Sequence, residues 1–289
     1  MLKKDKPMLR RFQRFLRSPK GSLSLIFLSL LFVSGASVGW PVAAPHVLAA
    51  LAGACLFDFL IGLVRQGKPA WPSSALLSGL IVAFVLGPLE PHAITFAVAA
   101  LAIIAKHVLK TRQGHIFNPA ALALVISVPL FGTGQSWWGA LANAPAIWLI
   151  LLLAGGAIIL ERLNKFPLAL SFLGVYFGLF AFAGLVGPAR VAEMFRMPFV
   201  NAALFLAFFM LTDPPTSPGK RNDQVWFGGL VAIVAAVAQL VGVGQTYLLV
   251  GLLAGNLTLA VRRSLSRRSS LASAKMRPVG YAKATPAMD

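Results

Sequence analysis

Two acidic side chains and one amide interrupt apolar stretches of this chain. Asn118-Pro119 opens one apolar run, Asp213 follows the end of another, and Asp58 lies inside a third. An ionisable group within an apolar run of a membrane protein is costly unless it faces protein or water. We therefore take Asp58 and Asp213 as candidates for an ion pathway.

Each of these residues also has a purely structural interpretation. Asn118-Pro119 has the residue order of a helix start, because Asn caps free N–H groups and Pro fits the first turn. Such a start also favours an anion or an electron-rich ring, since its remaining N–H groups carry partial positive charge. Asp213 before Pro214 fits a helix end, although an acid there opposes the helix dipole. Asp58 is within reach of Arg65 or Lys68.

The composition places these residues in a membrane protein. Apolar residues make up 58% of the chain and charged residues 12%, whereas soluble domains have about 25% charged residues. We predict an all-α membrane domain over residues 22–262, between a basic segment, 1–21, and a basic tail, 263–289, that we expect to be disordered. A secretory signal is the alternative for the first apolar run, but further runs follow directly.

Ten apolar runs are predicted to be transmembrane helices. They are Ser22–Trp40, Pro45–Val64, Ser73–Leu89, Ala93–Leu109, Phe117–Phe131, Pro145–Leu160, Phe166–Val186, Phe199–Leu211, Val225–Val243 and Thr246–Val261.

The distribution of positive charge predicts that both termini are cytoplasmic. Ten crossings from a cytoplasmic N-terminus place all but two of the 26 Lys and Arg residues on the cytoplasmic side; the exceptions are Arg190 and Arg196. Cytoplasmic loops of membrane proteins carry such an excess. The net charge of +18 therefore indicates a lipid bilayer and not nucleic acid as the partner. Trp137-Trp138 is expected in the interfacial aromatic belt.

No metal centre or catalytic residue is predicted. Cys55 is the single cysteine, and the four histidines lack the spacing of metal ligands.

Similar motifs in the two halves suggest an internal repeat of five plus five helices. Ser74-Ala75-Leu76-Leu77 precedes Pro88 by 14 positions, and Asn201-Ala202-Ala203-Leu204 precedes Pro215 by the same 14. Asn118 and Asn256 open a weaker pair of similar motifs. Because five is odd, the second half would be inverted, as in many transporters, with the binding site at its interrupted helices. Chance similarity between apolar helices is the alternative explanation.

Three segments carry a resemblance to a known family. Ser74–Gly79, Lys106 with Gly114–Ala120, and Phe209–Pro218 resemble segments of the RnfD/NqrB family. These are membrane subunits of ion-translocating ferredoxin:NAD and NADH:quinone oxidoreductases, and the resemblance spans roughly residues 45–262. It implies an inverted-repeat bundle in the bacterial inner membrane, flavin-linked electron transfer coupled to cation movement, and other electron-transport subunits as partners.

The resemblance also bears on the cofactor. Family members esterify FMN to a Thr in a Ser-Gly-Ala-Thr motif downstream of the Phe-Asn-Pro-Ala motif. No such motif follows Ala120, and Ser34-Gly35-Ala36-Ser37 lies upstream and ends in Ser. We therefore expect no covalent FMN.

Noncovalent FMN or riboflavin remains compatible with the retained motifs. The residues expected to bind it are Ser74, Asn118, Thr212, Asp213 and Asn201, with Asn256 nearby. A transporter or channel that kept the scaffold but lost the redox role is the alternative.

Overall fold

The computed structural model describes residues 18–67, 73–111, 114–187 and 189–275. Ten α-helices run through this part of the chain. They are α1 Pro19–Val38, α2 Trp40–Gln66, α3 Ser73–Val85, α4 His92–Val108, α5 Pro119–Phe131, α6 Leu149–Leu163, α7 Phe166–Val186, α8 Phe199–Phe205, α9 Arg221–Leu240 and α10 Tyr247–Lys275. Two short strands, β1 Lys110–Thr111 and β2 Gly114–His115, form an antiparallel hairpin after α4.

Each of these helices overlaps one of the ten predicted apolar runs, so the prediction of an all-α membrane protein is confirmed. Within the described residues, six helices are long and apolar enough to cross a membrane: α1, α2, α6 with the turn before it, α7, α9 and α10. The other four, α3, α4, α5 and α8, are shorter. A helix of 13 residues, such as α3, rises only about 20 Å, against a hydrocarbon thickness of about 30 Å.

Two of the short helices, α3 and α8, end inside protein. All side chains from Val82 to Leu86 are fully buried, and Leu86 pairs by a β-bridge with Gln135. Helix α8 continues as a π-helix over Leu206–Met210, which is also buried. Such breaks are tolerated at membrane depth because the freed backbone groups face protein and not lipid.

The loops lie at two ends of the bundle, as the charge pattern predicts. At one end, which we call the basic end, Arg65 donates to the carbonyl of His107 (3.2 Å) and Lys165 donates to that of Pro218. At the opposite end, Gly134 donates to Glu90 (2.8 Å) and Trp137 to the carbonyl of Gln245 (3.3 Å). Loops predicted on the same side therefore lie together.

Helix pairing repeats between the halves. Helix α4 packs against α2 and α5 in the first half, and α9 packs against α7 and α10 in the second. Between the halves, α1 contacts α6 and α5 contacts α10. This matching pattern supports the five-plus-five repeat.

The predicted terminal segments are described only in part. Residues 263–275, assigned to the tail, continue α10, whereas 1–17 and 276–289 lie outside the described residues.

Candidate functional site

A cavity of about 660 Å³ opens at the basic end, between the two halves. The first half contributes the starts of α1, α3 and α5, and the second contributes α6, the end of α8 and Asp213. This volume lies within the usual range of ligand pockets, roughly 300–1,000 Å³. The structure thus brings together three predicted residues, Ser74, Asn118 and Asp213, on the wall of one cavity.

Two of the helix starts at this cavity are capped by their own side chains. Ser18 accepts a hydrogen bond from the N–H of Gly21 (3.1 Å), and Asn118 accepts one from the N–H of Ala121 (3.1 Å). A single cap satisfies only some of the free N–H groups of a helix start. The cavity wall therefore carries partial positive charge from α1 and α5.

Asn118 does more than cap α5, because it also joins the two halves. Its backbone N–H donates to Oδ1 of Asn256 (2.8 Å), and its side-chain amide donates to the carbonyl of Met210 (3.3 Å). Asn256 in turn donates to the carbonyl of Thr216 (3.0 Å). These buried bonds fix α5 to α10 and to the chain after α8.

Asp213 begins a proline-rich segment, residues 213–219, which we call the clamped loop. Its prolines lack an N–H, so its carbonyls need donors from elsewhere. The side-chain donors are Arg263 to Pro215 (3.2 Å) and Ser217 (3.1 Å), Asn256 to Thr216 (3.0 Å), Lys165 to Pro218, and Gln224 to Gly219 (3.0 Å). Because five successive carbonyls are held, Asp213 has a fixed place at the cavity.

Burial shifts the pKa values of Asp213 and of its neighbour Lys165 towards neutral pH. Burial raises the pKa of Asp213 to about 6, although the Thr216 hydroxyl and the positive charges of Lys165, Lys106 and Lys20 act against it. Burial also lowers the pKa of Lys165 to about 8, assisted by the charge of Arg263 and opposed by Asp213. A carboxyl group with this pKa can exchange a proton near physiological pH.

Asp58 is connected to the cavity through Lys106. The Lys106 ammonium lies 3.5 Å from the Asp58 carboxylate and donates to the hydroxyl of Ser74. His107 also contacts Asp58, at 3.3 Å. The candidate partner Arg65 binds the carbonyl of His107 instead, and Lys68 lies outside the described residues.

Two predicted residues do not face the cavity. Asn201 donates to the carbonyl of Leu141 (3.1 Å) at the opposite end, and Thr212 donates to the carbonyl of Phe208 (2.6 Å) in the preceding turn. An inverted repeat explains the position of Asn201, because the start of α8 lies at the opposite end from the start of α3. Asn201 is therefore excluded from this cavity.

The structure adds Lys20, Lys106 and His115 to the cavity wall. Lys106 and His115 belong to the segment that carries the family resemblance, whereas Lys20 could be read only as a topology signal. Burial is the main cause that lowers the pKa of His115, with the charges of Lys106 and Lys110 acting in the same direction.

The prediction of an interfacial belt at Trp137-Trp138 is wrong. Both side chains are only 1% exposed, and the Trp138 indole donates to the carbonyl of Ala83 (2.6 Å). Left-handed backbone at Trp137 (φ 53°) and Leu141 (φ 63°) turns this loop back into the bundle. Trp and Leu rarely adopt a left-handed conformation, so the sequence does not indicate this turn.

The comparison with known families agrees with the fold. Residues 134–261 match the model of the NQR2, RnfD, RnfE family. The matched region contains α6 to α9 and about half of α10, with the clamped loop. No curated protein matches the chain. Of the three segments that carry the resemblance, Phe209–Pro218 lies within the matched region, and over residues 134–261 the predicted resemblance is confirmed.

Proposed function

Because the second half of the chain matches this family, we propose that the protein is an electron-transport subunit that binds FMN or riboflavin noncovalently and couples electron transfer to cation movement. The observation that carries this proposal is the cavity with Ser74, Asn118 and Asp213 on its wall. The proposed setting is the bacterial inner membrane, with both termini cytoplasmic and with further electron-transport subunits as partners.

The lining of the cavity supports a flavin. Ile81, Ile159 and Phe209 are buried apolar residues of its wall, and such residues suit the faces of an isoalloxazine ring. Ser74 and Asn118 add polar atoms at the helix starts. An apolar slot with a few placed polar groups is the usual arrangement of a cofactor site.

The missing motif and the threonine that remains support noncovalent binding. Thr133 is the one threonine of the loop between α5 and α6. Its hydroxyl is buried and shares a hydrogen bond with Ser127 (2.6 Å). Thr133 is not preceded by Ser-Gly-Ala, and its hydroxyl already has a buried partner. Both facts argue against Thr133 as a site of esterification.

Asp213 supports coupling to a cation. A flavin held in this cavity would accept electrons, and each electron would add negative charge beside this carboxylate. Two like charges close together raise the pKa of the carboxyl group and favour uptake of a proton or another cation. Asp58, joined to the cavity through Lys106, is the second acid on this proposed ion pathway.

A visible absorption spectrum of the purified protein tests the flavin proposal. We expect flavin bands that disappear from the protein fraction after denaturation, with no fluorescent protein band on a denaturing gel. Ile81→Trp fills the cavity and should abolish the bands, whereas Ile126→Trp, at a position exposed on the outer face of α5, should retain them. A folded wild-type protein without flavin bands contradicts the proposal.

The interrupted helices favour a second candidate function. In inverted-repeat transporters, short or broken helices line the substrate site, and here α8 breaks into a π-helix beside the cavity. A transporter or channel on the same scaffold would lack flavin bands. It would instead move a solute or an ion across the membrane of proteoliposomes, and the Ile81→Trp substitution would block that movement.

A further inference from the structure

Helix α9 exposes one apolar face on the outside of the bundle, away from the cavity. On this face Trp226, Ile233 and Val237 are 38%, 48% and 53% exposed. They follow one another at intervals of seven and four residues, so they lie on the same side of an α-helix. Because α9 is long and apolar enough to cross a membrane, this face is open to lipid.

A pair of opposite charges lies at the basic end of this face. Asp223 precedes Trp226 by three positions, so the two side chains are neighbours on the helix surface. The guanidinium of Arg262, from α10, lies 4.6 Å from the centre of the Trp226 ring and 3.3 Å from Oδ1 of Asp223. The indole and the carboxylate together hold Arg262 at this position.

Both charged groups retain capacity to bind a ligand. The side chains of Arg262 and Asp223 are 51% and 37% exposed, and an ion pair this exposed contributes little to stability. A guanidinium has five N–H donors, and a carboxylate has two acceptor oxygens. In the described part of the chain, these two side chains share one hydrogen bond, from Nη2 of Arg262 to Oδ1 of Asp223. A ligand with its own anion and cation therefore has free donors and acceptors to bind.

The length of the exposed face matches one leaflet of a bilayer. From Trp226 to Val237 the helix rises about 16 Å, and half of the hydrocarbon thickness is about 15 Å. An acyl chain of one lipid can therefore lie along the whole face. Tryptophan at a helix end favours the level of the lipid headgroups, which places Asp223 and Arg262 beside the phosphates.

We propose that this face binds one molecule of phosphatidylethanolamine. Arg262 donates charge-assisted hydrogen bonds to the phosphodiester, and Asp223 accepts one from the primary ammonium group. An acyl chain covers Trp226, Ile233 and Val237. Phosphatidylglycerol has no ammonium group, and the quaternary ammonium of phosphatidylcholine has no N–H, so neither lipid satisfies both side chains. The site is separate from the cavity and does not depend on the proposed function.

Native mass spectrometry of the delipidated full chain tests the proposal, with an equimolar mixture of the three lipids carrying identical acyl chains. We expect one bound phosphatidylethanolamine, preferred about fivefold over each of the others, as one charged contact at an exposed site allows. Asp223→Asn should transfer the preference to phosphatidylglycerol, because Arg262 then lacks its acid. Arg262→Gln should weaken binding of all three lipids. Arg196→Gln, at an exposed arginine before α8, is the matched control.

Four results would overturn the proposal. Equal binding of phosphatidylethanolamine and phosphatidylcholine shows that the ammonium group is not recognised, and a wild-type preference for phosphatidylglycerol shows a site for anionic lipid. An unchanged preference in Asp223→Asn places the bound lipid elsewhere. A protein dimer that excludes lipid and is lost in Trp226→Ala shows that a second copy covers this face. Asp223→Glu keeps the carboxylate and should retain the wild-type preference, which separates loss of charge from loss of folding.

Discussion

Asp213 occupies a position where its negative charge lowers stability. Burial raises its pKa to about 6 in the folded protein, whereas an unfolded chain has an Asp pKa of about 3.9. Between these values the folded state binds more protons than the unfolded state, so the free energy of unfolding falls as pH rises. This loss of stability is complete at pH values above the folded-state pKa and absent at pH values below the unfolded-state pKa.

Replacement of Asp213 by Asn should therefore stabilise the protein in a pH-dependent way. We expect Asp213→Asn to raise the melting temperature in detergent by a few degrees at pH 8, on the order of 1–3 kcal/mol. The difference from wild type should disappear near pH 4. Asp223→Asn, at a carboxylate that is 37% exposed and pairs with Arg262, should show no such trend. A stability gain that is equal at both pH values contradicts the assigned cause.

Two residues of the site were predictable because their sequence context is unusual. Asn118 and Asp213 interrupt apolar runs and are followed by proline, which made them visible. Lys20 and Lys106 were not recognised, because the positive-inside pattern accounts equally well for every basic residue. The donors of the clamped loop were also missed, since Lys165, Gln224 and Arg263 are far apart in sequence and meet only in the folded protein.

Helix α9 depends on glycine for its close contacts in the second half. A Cβ atom at Gly228 would lie 2.5 Å from the carbonyl oxygen of Leu168 in α7. On the side of α10, a Cβ atom at Gly251 would lie 2.7 Å from the carbonyl oxygen of Val231 in α9. Small residues at such crossings let helix backbones approach closely, which is a main source of packing energy within lipid.

Two adjacent glycines of α9 provide a matched test of this packing. Gly228→Ala must displace the backbone of α7, and we expect a loss of about 1–3 kcal/mol in stability, as in other overpacked cores. Gly229→Ala should be tolerated, because its Cβ atom would have no neighbour closer than 3.8 Å. Thermal unfolding of both variants in detergent measures the difference. Equal melting temperatures would show that α7 and α9 can separate without cost.

At the scale of helices, the apolar runs predict which helices exist better than they predict where each helix begins and ends. Helix α9 begins at Arg221, four positions before the predicted Val225, because its first turn is polar and hydropathy does not detect it. The π-helix at Leu206–Met210 has no signal in its uniformly apolar sequence. Interrupted helices of this kind often occur at functional sites, and this one leads directly into the clamped loop.

At the scale of the whole molecule, the inverted repeat explains why one pair of matching motifs lies at opposite ends of the bundle and the other pair lies together. Ser74 and Asn201 occupy matching positions, so inversion places them at opposite ends of the bundle. Asn118 and Asn256 meet for another reason. Asn118 starts α5 at the basic end, whereas Asn256 lies within α10 as that helix approaches the same end. Sequence similarity alone cannot separate these two situations, because it does not record the direction in which each helix runs.

The gathering of basic loops at one end predicts the orientation of the protein in its membrane. Lys and Arg residues near helix ends are retained on the cytoplasmic side, and the basic end contains Arg65, Lys106, Lys165 and Arg263. The opposite end contains the turn after α3 and the turn before α10, both without Lys or Arg. We therefore expect reporter fusions after Leu89 and after Gly244 to report the outside, and a fusion after Gly219 to report the cytoplasm. These sites test both halves, and a missed or additional crossing would reverse the signals that follow it. A cytoplasmic signal after Leu89 or after Gly244 would show that the basic end does not determine the topology.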